Sequence, residues 1–209
     1  MKYFILMADI IASGEKNQNQ LMEDFKELIR EVNNSYKDEI LSPLTITLGD
    51  EFQCVLKDLI ASTNIILNLE ESIIHKKLGF QLRYMLNEGN IETPINKNIA
   101  HEMLGSGLTN ARQILNDSKH DKFRFAISIE NKLQNDILIN AFKIFENITE
   151  KWNVKKDYET VSNFIKYKDY KIVSKTMNKT RSQLWKREKT LNIESYNSIK
   201  SIIRLITKN

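Results

Sequence analysis

The segment 44–56, LTITLGDEFQCVL, constrains the fold more than any other part of the chain. Apolar and polar residues alternate at both of its ends, which is the period-2 pattern of half-buried strands. Between the ends, Gly49 and Asp50 predict a tight two-residue turn. The segment therefore predicts a β-hairpin in the core of the protein, with Asp50 and Glu51 at the tip.

A second carboxylate follows an apolar run near the N-terminus. Residues 3–7, YFILM, predict a buried strand, and Asp9 and Ile10 come at its C-terminal end. If this strand lies beside the hairpin, Asp9 and Asp50 converge. Two close carboxylates repel each other unless a cation lies between them, and Mg²⁺ or Mn²⁺ binds such oxygen ligands together with substrate phosphates. The pair is a candidate metal and catalytic site, although acidic residues at a hairpin tip also occur simply as turn residues.

Composition indicates a globular protein of ordinary polarity. The chain has 209 residues, 41% of them hydrophobic and 28% charged, which suffices for one good core and a small appendage. No run is apolar enough to span a membrane and no signal peptide precedes Met1, so we expect a cytoplasmic protein. The single cysteine, Cys54, excludes an intramolecular disulfide.

The charge is distributed unevenly. Residues 151–209 contain 15 Lys/Arg and 5 Asp/Glu, a net of +10, so the net charge of +4 leaves −6 for residues 1–150. This asymmetry predicts two units, residues 1–150 and 155–209, with different partners. The basic unit is a candidate for binding DNA, although a basic helical tail can also serve only to keep a protein soluble.

The order of predicted elements indicates the fold of the first unit. Hydrophobic periodicity predicts helices at 17–36, 58–77, 108–116 and 131–151, and strands at 80–86 and 123–129 in addition to the N-terminal strand and the hairpin. The first six elements follow β-α-β-β-α-β, the ferredoxin-like order. We therefore predict an α/β (α+β) ferredoxin-like domain with a central antiparallel sheet, in which Asp9 and Asp50 lie on adjacent central strands.

A glycine-rich turn precedes the helix at 108–116. Gly105 and Gly107 could cradle a phosphate through backbone N–H groups at a helix N-terminus. Arg112 lies about one turn further on, where it could reach the same phosphate or could simply be a solvated arginine.

The basic unit reads as four helices, because residues 155–209 contain neither Gly nor Pro. Residues 170–177, a short turn and a cationic helix that Thr180 caps match the helix-turn-helix pattern. Leu184 and Leu191 are expected to face the core, and Trp185 to anchor a core or an interface. The expected DNA-binding residues are Thr180, Arg181, Ser182, Gln183, Lys186, Arg187 and Lys189. The alternative is a basic helical bundle that packs on the first unit or forms a dimer.

The chain resembles the SatD family over its whole length, on MADII at the start and TLGDEFQ in the hairpin. Residues 1 to about 130 are also similar to the palm domain of class III nucleotide cyclases. That resemblance implies a metal site made of Asp9, the backbone carbonyl of Ile10 and Asp50, with Glu51 as a possible further ligand. It also implies a nucleotide, such as a nucleoside triphosphate, near Arg112. The hairpin is distantly similar to the GGDEF motif of diguanylate cyclases.

The departures from these families matter as much. Ile46 stands where purine-selecting cyclases place a lysine, and Leu108 stands where their transition-state asparagine would fall. Leu48 replaces the first glycine of the diguanylate cyclase hairpin. Loss of a group that stabilises transition-state charge typically lowers the rate by about 10²–10³. The absence of these residues argues against a cyclase of ordinary activity.

These observations favour a nucleotide-responsive regulator that binds DNA through its C-terminal unit. Two alternatives stay open: an active metal-dependent nucleotidyl cyclase or transferase, and a catalytically dead palm that serves as a dimer scaffold for DNA binding. By analogy with paired palms and paired half-sites, a homodimer is expected.

Overall fold

In the computed structural model, residues 1–12, 18–47 and 49–208 are described. Within them, the strands are β1 (Lys2–Ala12), β2 (Ile40–Ile46), β3 (Glu51–Leu56), β4 (Phe80–Asn90) and β5 (Phe125–Ser128). The helices are α1 (Gln18–Ser35), α2 (Leu59–His75), α3 (Ser106–Asp117), α4 (Lys132–Thr149), α5 (Tyr158–Tyr167), α6 (Tyr170–Thr176), α7 (Arg181–Thr190) and α8 (Ile193–Ile206), with a 3₁₀ turn at Ser118–His120 after α3. Among these helices, none combines the length and apolarity needed to cross a membrane.

The strands form one mixed sheet in the order β2-β3-β1-β4-β5. The first four strands pair antiparallel, and β5 joins β4 in parallel. This arrangement confirms the predicted α/β class and the ferredoxin-like order of the first six elements. Because β1 lies between β3 and β4, residues at its C-terminal end have neighbours on both sides.

The two faces of the sheet are covered by different helices. Leu6 and Ala8 of β1 belong to the larger apolar cluster, which includes side chains of α1, α2 and α4. Ile5 and Met7 belong to a smaller cluster with α3. Since successive residues of a strand point to opposite faces, Asp9 lies on the same face as Met7, toward α3.

The larger apolar cluster extends from the sheet into the C-terminal helices. Phe145 of α4 packs on Tyr196 of α8 with ring centroids 5.5 Å apart. The Tyr196 hydroxyl donates to Glu71 of α2 at 3.0 Å. The helices after residue 150 thus share their buried side with α2 and α4, and the predicted division near that residue stays a prediction.

The central hairpin differs from its prediction at the turn. The backbone N–H of Thr47 donates to the carbonyl oxygen of Glu51 at 2.8 Å, so three residues connect the strands where two were predicted. Leu48, the first of them, lies outside the described residues, and Gly49 has a left-handed φ of 87°. Three-residue hairpin loops use such a conformation to form a bulge. Glu51 consequently begins β3 and is not at the tip.

The C-terminal helices also test predictions about single side chains. Leu184 and Leu191 are buried, at 0% and 4% exposure, which confirms that they face the core. Trp185 is 48% exposed, so it is not a core residue. The reason is that Leu184 alone is buried along α7, and its neighbour Trp185 points away from the same side.

Candidate functional site

Asp9, at the C-terminal end of β1, lies beside the start of β3 and the hairpin turn. Asp9 is 6% exposed and lies directly opposite Glu51 of β3, which is 3% exposed. The backbone N–H of Ile10 donates to the carbonyl oxygen of Asp50 at 2.9 Å. The Asp50 side chain is exposed at the turn. The four residues proposed from the sequence as metal ligands therefore occupy one region, with two buried carboxylates and one exposed carboxylate.

Two cations face Asp9. Arg83 lies opposite it on β4, and its Nη1 donates to both carboxylate oxygens, at 3.2 and 2.9 Å. Lys119 Nζ lies 4.0 Å from Oδ2. Burial raises the pKa of Asp9 above its ordinary value, and Arg83 and Lys119 oppose that rise. The pair with Arg83 is the principal interaction that keeps this carboxylate charged in a poorly hydrated position.

Glu51 has its own set of partners. Arg112 of α3 forms an ion pair with Oε1 at 2.9 Å, and the Thr47 hydroxyl donates to the same oxygen at 3.0 Å. Arg112 Nη2 also lies 3.5 Å from Oε1 of Gln53. The side-chain nitrogen of Gln53 donates to the carbonyl oxygen of Ala100 at 2.7 Å. Arg112 thus reaches the site as predicted, but its partner there is a protein carboxylate.

The charges at this site are already balanced without a metal ion. Asp9, Asp50 and Glu51 carry three negative charges, and the three cations next to them are Arg83, Arg112 and Lys119. A hard divalent ion needs carboxylate oxygens that are free to coordinate it, whereas both oxygens of Asp9 accept from an arginine. No group of three or more His, Cys, Asp or Glu that could hold a metal occurs in the described ranges. The arrangement does not fit Mg²⁺ or Mn²⁺ as it stands, and the predicted metal site stays a prediction.

The turn that contains Gly105 and Gly107 does not lie at the Asp9 site. A Cβ atom on Gly107 would come within 2.6 Å of the backbone of Gly89, and one on Gly105 within 2.3 Å of the carbonyl oxygen of Asn90. Asn90 pairs with Lys2 at the opposite end of β1 from Asp9. These glycines allow the backbones of α3 and β4 to touch, so their place in the fold is explained by packing. Their predicted contact with phosphate stays a prediction.

Sequence reasoning missed Arg83 and Lys119 as members of the site. A signal for Arg83 was present, because it is a charged residue inside the alternating apolar strand 80–86 and shares its parity with Gln81 and Met85. Lys119 belongs to the 3₁₀ turn after α3, and only the packing of that helix brings it near Asp9.

The predicted DNA-binding residues fall into two groups on and before α7. Four of them have partners within the protein: Thr180 and Gln183 form a capping box, Arg187 pairs with Asp157, and Lys189 pairs with Glu194 at 3.0 Å. The others, Arg181, Ser182 and Lys186, are exposed, and no hydrogen bond or ion pair joins their side chains to the described residues.

Several solved structures are similar to this chain. A bacterial light-regulated adenylyl cyclase matches with a TM-score of 0.44 and 14% identity over 60% of this chain. The catalytic core of a rhodopsin-guanylyl cyclase with converted specificity, solved in complex with ATPalphaS, matches with a TM-score of 0.39 and 16% identity over 55%. A guanylyl cyclase matches with a TM-score of 0.39 and 10% identity over 56%. The aligned parts make up 42%, 71% and 70% of those proteins, and no activity follows for this chain from such partial similarity.

No curated protein is similar enough in sequence to count as a match. One family model does match, and it spans residues 3–204, nearly the whole chain. Its description is the SatD family. The protein is therefore a member of the SatD family.

Proposed function

We propose that this protein is a DNA-binding regulator whose α/β part responds to a nucleotide. The observation that carries the DNA-binding half is the exposure of α7, along which only Leu184 is buried. A helix that buries one side chain and forms its ion pairs only in its C-terminal half leaves the surface of its N-terminal half free for a DNA groove.

The approach to α7 supports a helix-turn-helix. The turn between α6 and α7 runs from Met177 to Thr180, and Asn178 within it adopts a left-handed φ of 51°. Asparagine tolerates this conformation, which the turn of such motifs commonly requires. Val173 of α6 and Leu184 of α7 are both fully buried, so the two helices share a small core behind the exposed surface.

The surface around the start of α7 is cationic. Its exposed basic residues are Lys171, Lys175, Lys179, Arg181 and Lys186. Such a cluster suits the phosphates that flank a groove. Because Gln183 and Arg187 are engaged within the protein, Arg181, Ser182 and Lys186 are the residues that would contact DNA, with Trp185 exposed between them. A homodimer would present two such helices to paired half-sites.

The test of DNA binding is its dependence on salt. We expect the Arg181→Ala/Lys186→Ala variant to bind a mixed-sequence duplex at least tenfold more weakly, and to lower the slope of log K against log salt by about 2. The matched control is Lys97→Ala/Lys122→Ala, which removes two exposed lysines of the α/β part. Fluorescence anisotropy measures both quantities. Equal losses in the two variants, or no DNA binding by the native protein, would refute this half of the function.

The nucleotide-responsive half depends on the outer cations of the Asp9 site. The side chains of Arg112 and Lys119 are 38% and 48% exposed, against 14% for Arg83. A nucleotide phosphate could therefore form an ion pair with Arg112, and Glu51 would then lose its ion-pair partner. An active cyclase is not proposed, because both carboxylate oxygens of Asp9 and one of Glu51 already accept from protein groups.

A thermal shift against a nucleotide panel tests this half. A ligand at about 100 times its dissociation constant stabilises by roughly 2.7 kcal/mol, or on the order of 5–10 °C for a protein of this size. We expect a shift in the native protein that is lost in Arg112→Met. The absence of a shift with every nucleotide would leave only a DNA-binding protein with an inert palm.

A further inference from the structure

A row of exposed apolar side chains runs along α4. Leu133, Ile137 and Ile144 are all exposed, Leu133 to 72%. Together with the exposed Asn140 and Asn147, these residues follow each other at alternate intervals of four and three positions. That spacing places all five on one face of the helix, in the pattern by which the helices of a bundle pack on one another. We name these five residues the α4 row.

Helix α8 carries a second row of the same kind. Ser195, Ser198, Ile202 and Leu205 follow each other at intervals of three, four and three positions, and all four are exposed. We name them the α8 row. None of the nine residues in the two rows is charged, although 28% of the chain is. Since a solvated helix face normally carries charges, the two rows differ from ordinary protein surface.

The two rows lie beside each other because α4 and α8 pack as an antiparallel pair. Phe145 of α4 contacts Tyr196 in the first half of α8. Near the start of α4, the side-chain nitrogen of Gln134 donates to the carbonyl oxygen of Ile206, at the end of α8, at 2.6 Å. Ile137 of the α4 row lies within one turn of Gln134, on the same side of the helix.

Buried charges on the same helices show which way the rows face. Glu146 of α4 accepts from a backbone N–H next to the sheet, and Ile144 lies about 200° round the helix from it. Lys200 of α8 pairs with a glutamate of α2, and Ile202 again lies about 200° away, on the side of Ile206. The two rows therefore form one uncharged face that points away from the sheet and from α2. We name it the α4–α8 face.

The pattern of the α4–α8 face specifies the partner that fits it. Two helices with this spacing pack best against two helices of the same spacing, as in a four-helix bundle. A second copy of the chain supplies such a pair, and a two-fold axis in the plane of the face brings the same residues together from both sides. Because the face is uncharged, two identical faces do not repel each other. We propose that two copies of the protein associate through their α4–α8 faces.

The dimensions of the face set the strength of this association. Helices α4 and α8, of 18 and 14 residues, are about 27 and 21 Å long, and together they are about 20 Å wide. The face therefore offers roughly 500 Å² per copy, or about 1,000 Å² for two copies, which is near the lower limit of specific interfaces. We expect a dimer that dissociates in the micromolar range.

The proposed interface borders the DNA-binding unit. Ser198 and Ile202 of the α8 row line a groove of about 540 Å³ together with Glu188 of α7. A dimer formed through this face would thus hold two α7 helices in a fixed relation. Association through the α4–α8 face does not depend on the proposed function, and only its effect on DNA binding does.

Analytical ultracentrifugation tests the association without any DNA. We expect the native protein at about 100 μM to sediment with close to twice its monomer mass of 24.5 kDa, and to dissociate on dilution to about 1 μM. The Leu133→Glu/Leu205→Glu variant should stay monomeric at the higher concentration, because it would bury unpaired charges in the interface. Both residues are exposed, so thermal unfolding at the lower concentration should match that of the native protein.

The matched control is Ile99→Glu/Leu104→Glu, which changes two exposed apolar residues far from this face and should dimerise like the native protein. A second arm identifies the partner as another copy. Leu133→Lys/Leu205→Lys should be monomeric alone, whereas an equimolar mixture with the glutamate variant should dimerise, because opposite charges then meet across the two faces.

Four results would each overturn the proposal: a native protein that is monomeric at the higher concentration, a dimer of Leu133→Glu/Leu205→Glu, an equal loss in the control, or no association in the mixture. A protein that dimerises through this face but does not bind DNA would retain the interface and lose the proposed function.

Discussion

Two arginine-centred ion clusters lie on opposite faces of the sheet, and they differ in how much solvent reaches them. In the sealed cluster, the side chains of Arg124, Glu70 and Glu146 are only 5–8% exposed. In the open cluster around Asp9, Arg83 is 14% exposed and Arg112 is 38% exposed. The same pairing of guanidinium and carboxylate can thus hold elements together in one place and leave charge accessible to a ligand in another.

The elements that each cluster joins explain this difference. Arg124, just before β5, binds Glu70 of α2 and lies beside Glu146 of α4, and Tyr84 of β4 donates to Glu70 at 2.9 Å. Helices cover these groups on the core side of the sheet. The open cluster lies at the end of β1 beside an exposed turn, and α3 and the 3₁₀ turn after it supply Arg112 and Lys119.

The largest expected effect is the loss of the sealed arginine. Arg124→Met leaves Glu70 and Glu146 buried without their cation, which should lower the free energy of unfolding by about 3–5 kcal/mol. Urea unfolding followed by circular dichroism measures it. The control adds Glu70→Gln and Glu146→Gln to the same protein and should recover part of the loss. A loss below about 1 kcal/mol would mean that water reaches this cluster after all.

A smaller loss is expected for Arg83→Met in the open cluster. Asp9 keeps Lys119 nearby and some access to solvent, so the free energy of unfolding should fall by about 1–3 kcal/mol. Addition of Asp9→Asn to this variant should restore stability, because no buried charge then lacks its partner. If Arg83→Met lowered the free energy of unfolding as much as Arg124→Met, the two clusters would not differ in how strongly burial penalises an unpaired charge.

Arg112→Met should lower the free energy of unfolding by less than about 1 kcal/mol, because a partly exposed ion pair contributes little to stability. Its signature is the dependence on salt. Added sodium chloride should reduce the stability difference between this variant and the native protein, whereas the difference for Arg124→Met should hardly change. Urea unfolding at low and high salt distinguishes the two responses.

The smallest expected effect is on the pH dependence of stability. Burial raises the pKa of both Asp9 and Glu146 in the folded protein. The folded state therefore binds more protons than the unfolded state between the ordinary and the raised values, so the free energy of unfolding decreases as pH rises through that window. Asp9→Asn and Glu146→Gln should each flatten this decrease at pH values just above the ordinary carboxyl pKa of about 4. A steeper decrease in either variant would show that its carboxyl has the opposite shift.

Short-range patterns predicted much of the fold. The alternation in residues 44–56 and the apolar run at 3–7 placed two strands side by side, and the convergence of Asp9 with the hairpin followed from their order. The pairing of Asp9 with Arg83 depends on the register between β1 and β4, which no local pattern specifies. The pairing of Glu51 with Arg112 depends on the orientation of α3.

Residues that are far apart in sequence explain the other differences. The contact of Gly107 with Gly89 is not visible in the chain around Gly105 and Gly107, and their contact with a phosphate stays a prediction. Sequence patterns therefore identified the carboxylates, while their cations required the three-dimensional arrangement.

The contact between Gly107 of α3 and Gly89 of β4 is a point about which α3 could pivot. With no side chain between the two backbones, Gly107 holds one end of α3 against the sheet, and Arg112 lies about 7–8 Å further along the helix. A tilt of about 10° about this point would move the guanidinium by roughly 1 Å, enough to loosen its pair with Glu51. A ligand that draws Arg112 outward would therefore tilt α3 about its contact at Gly107.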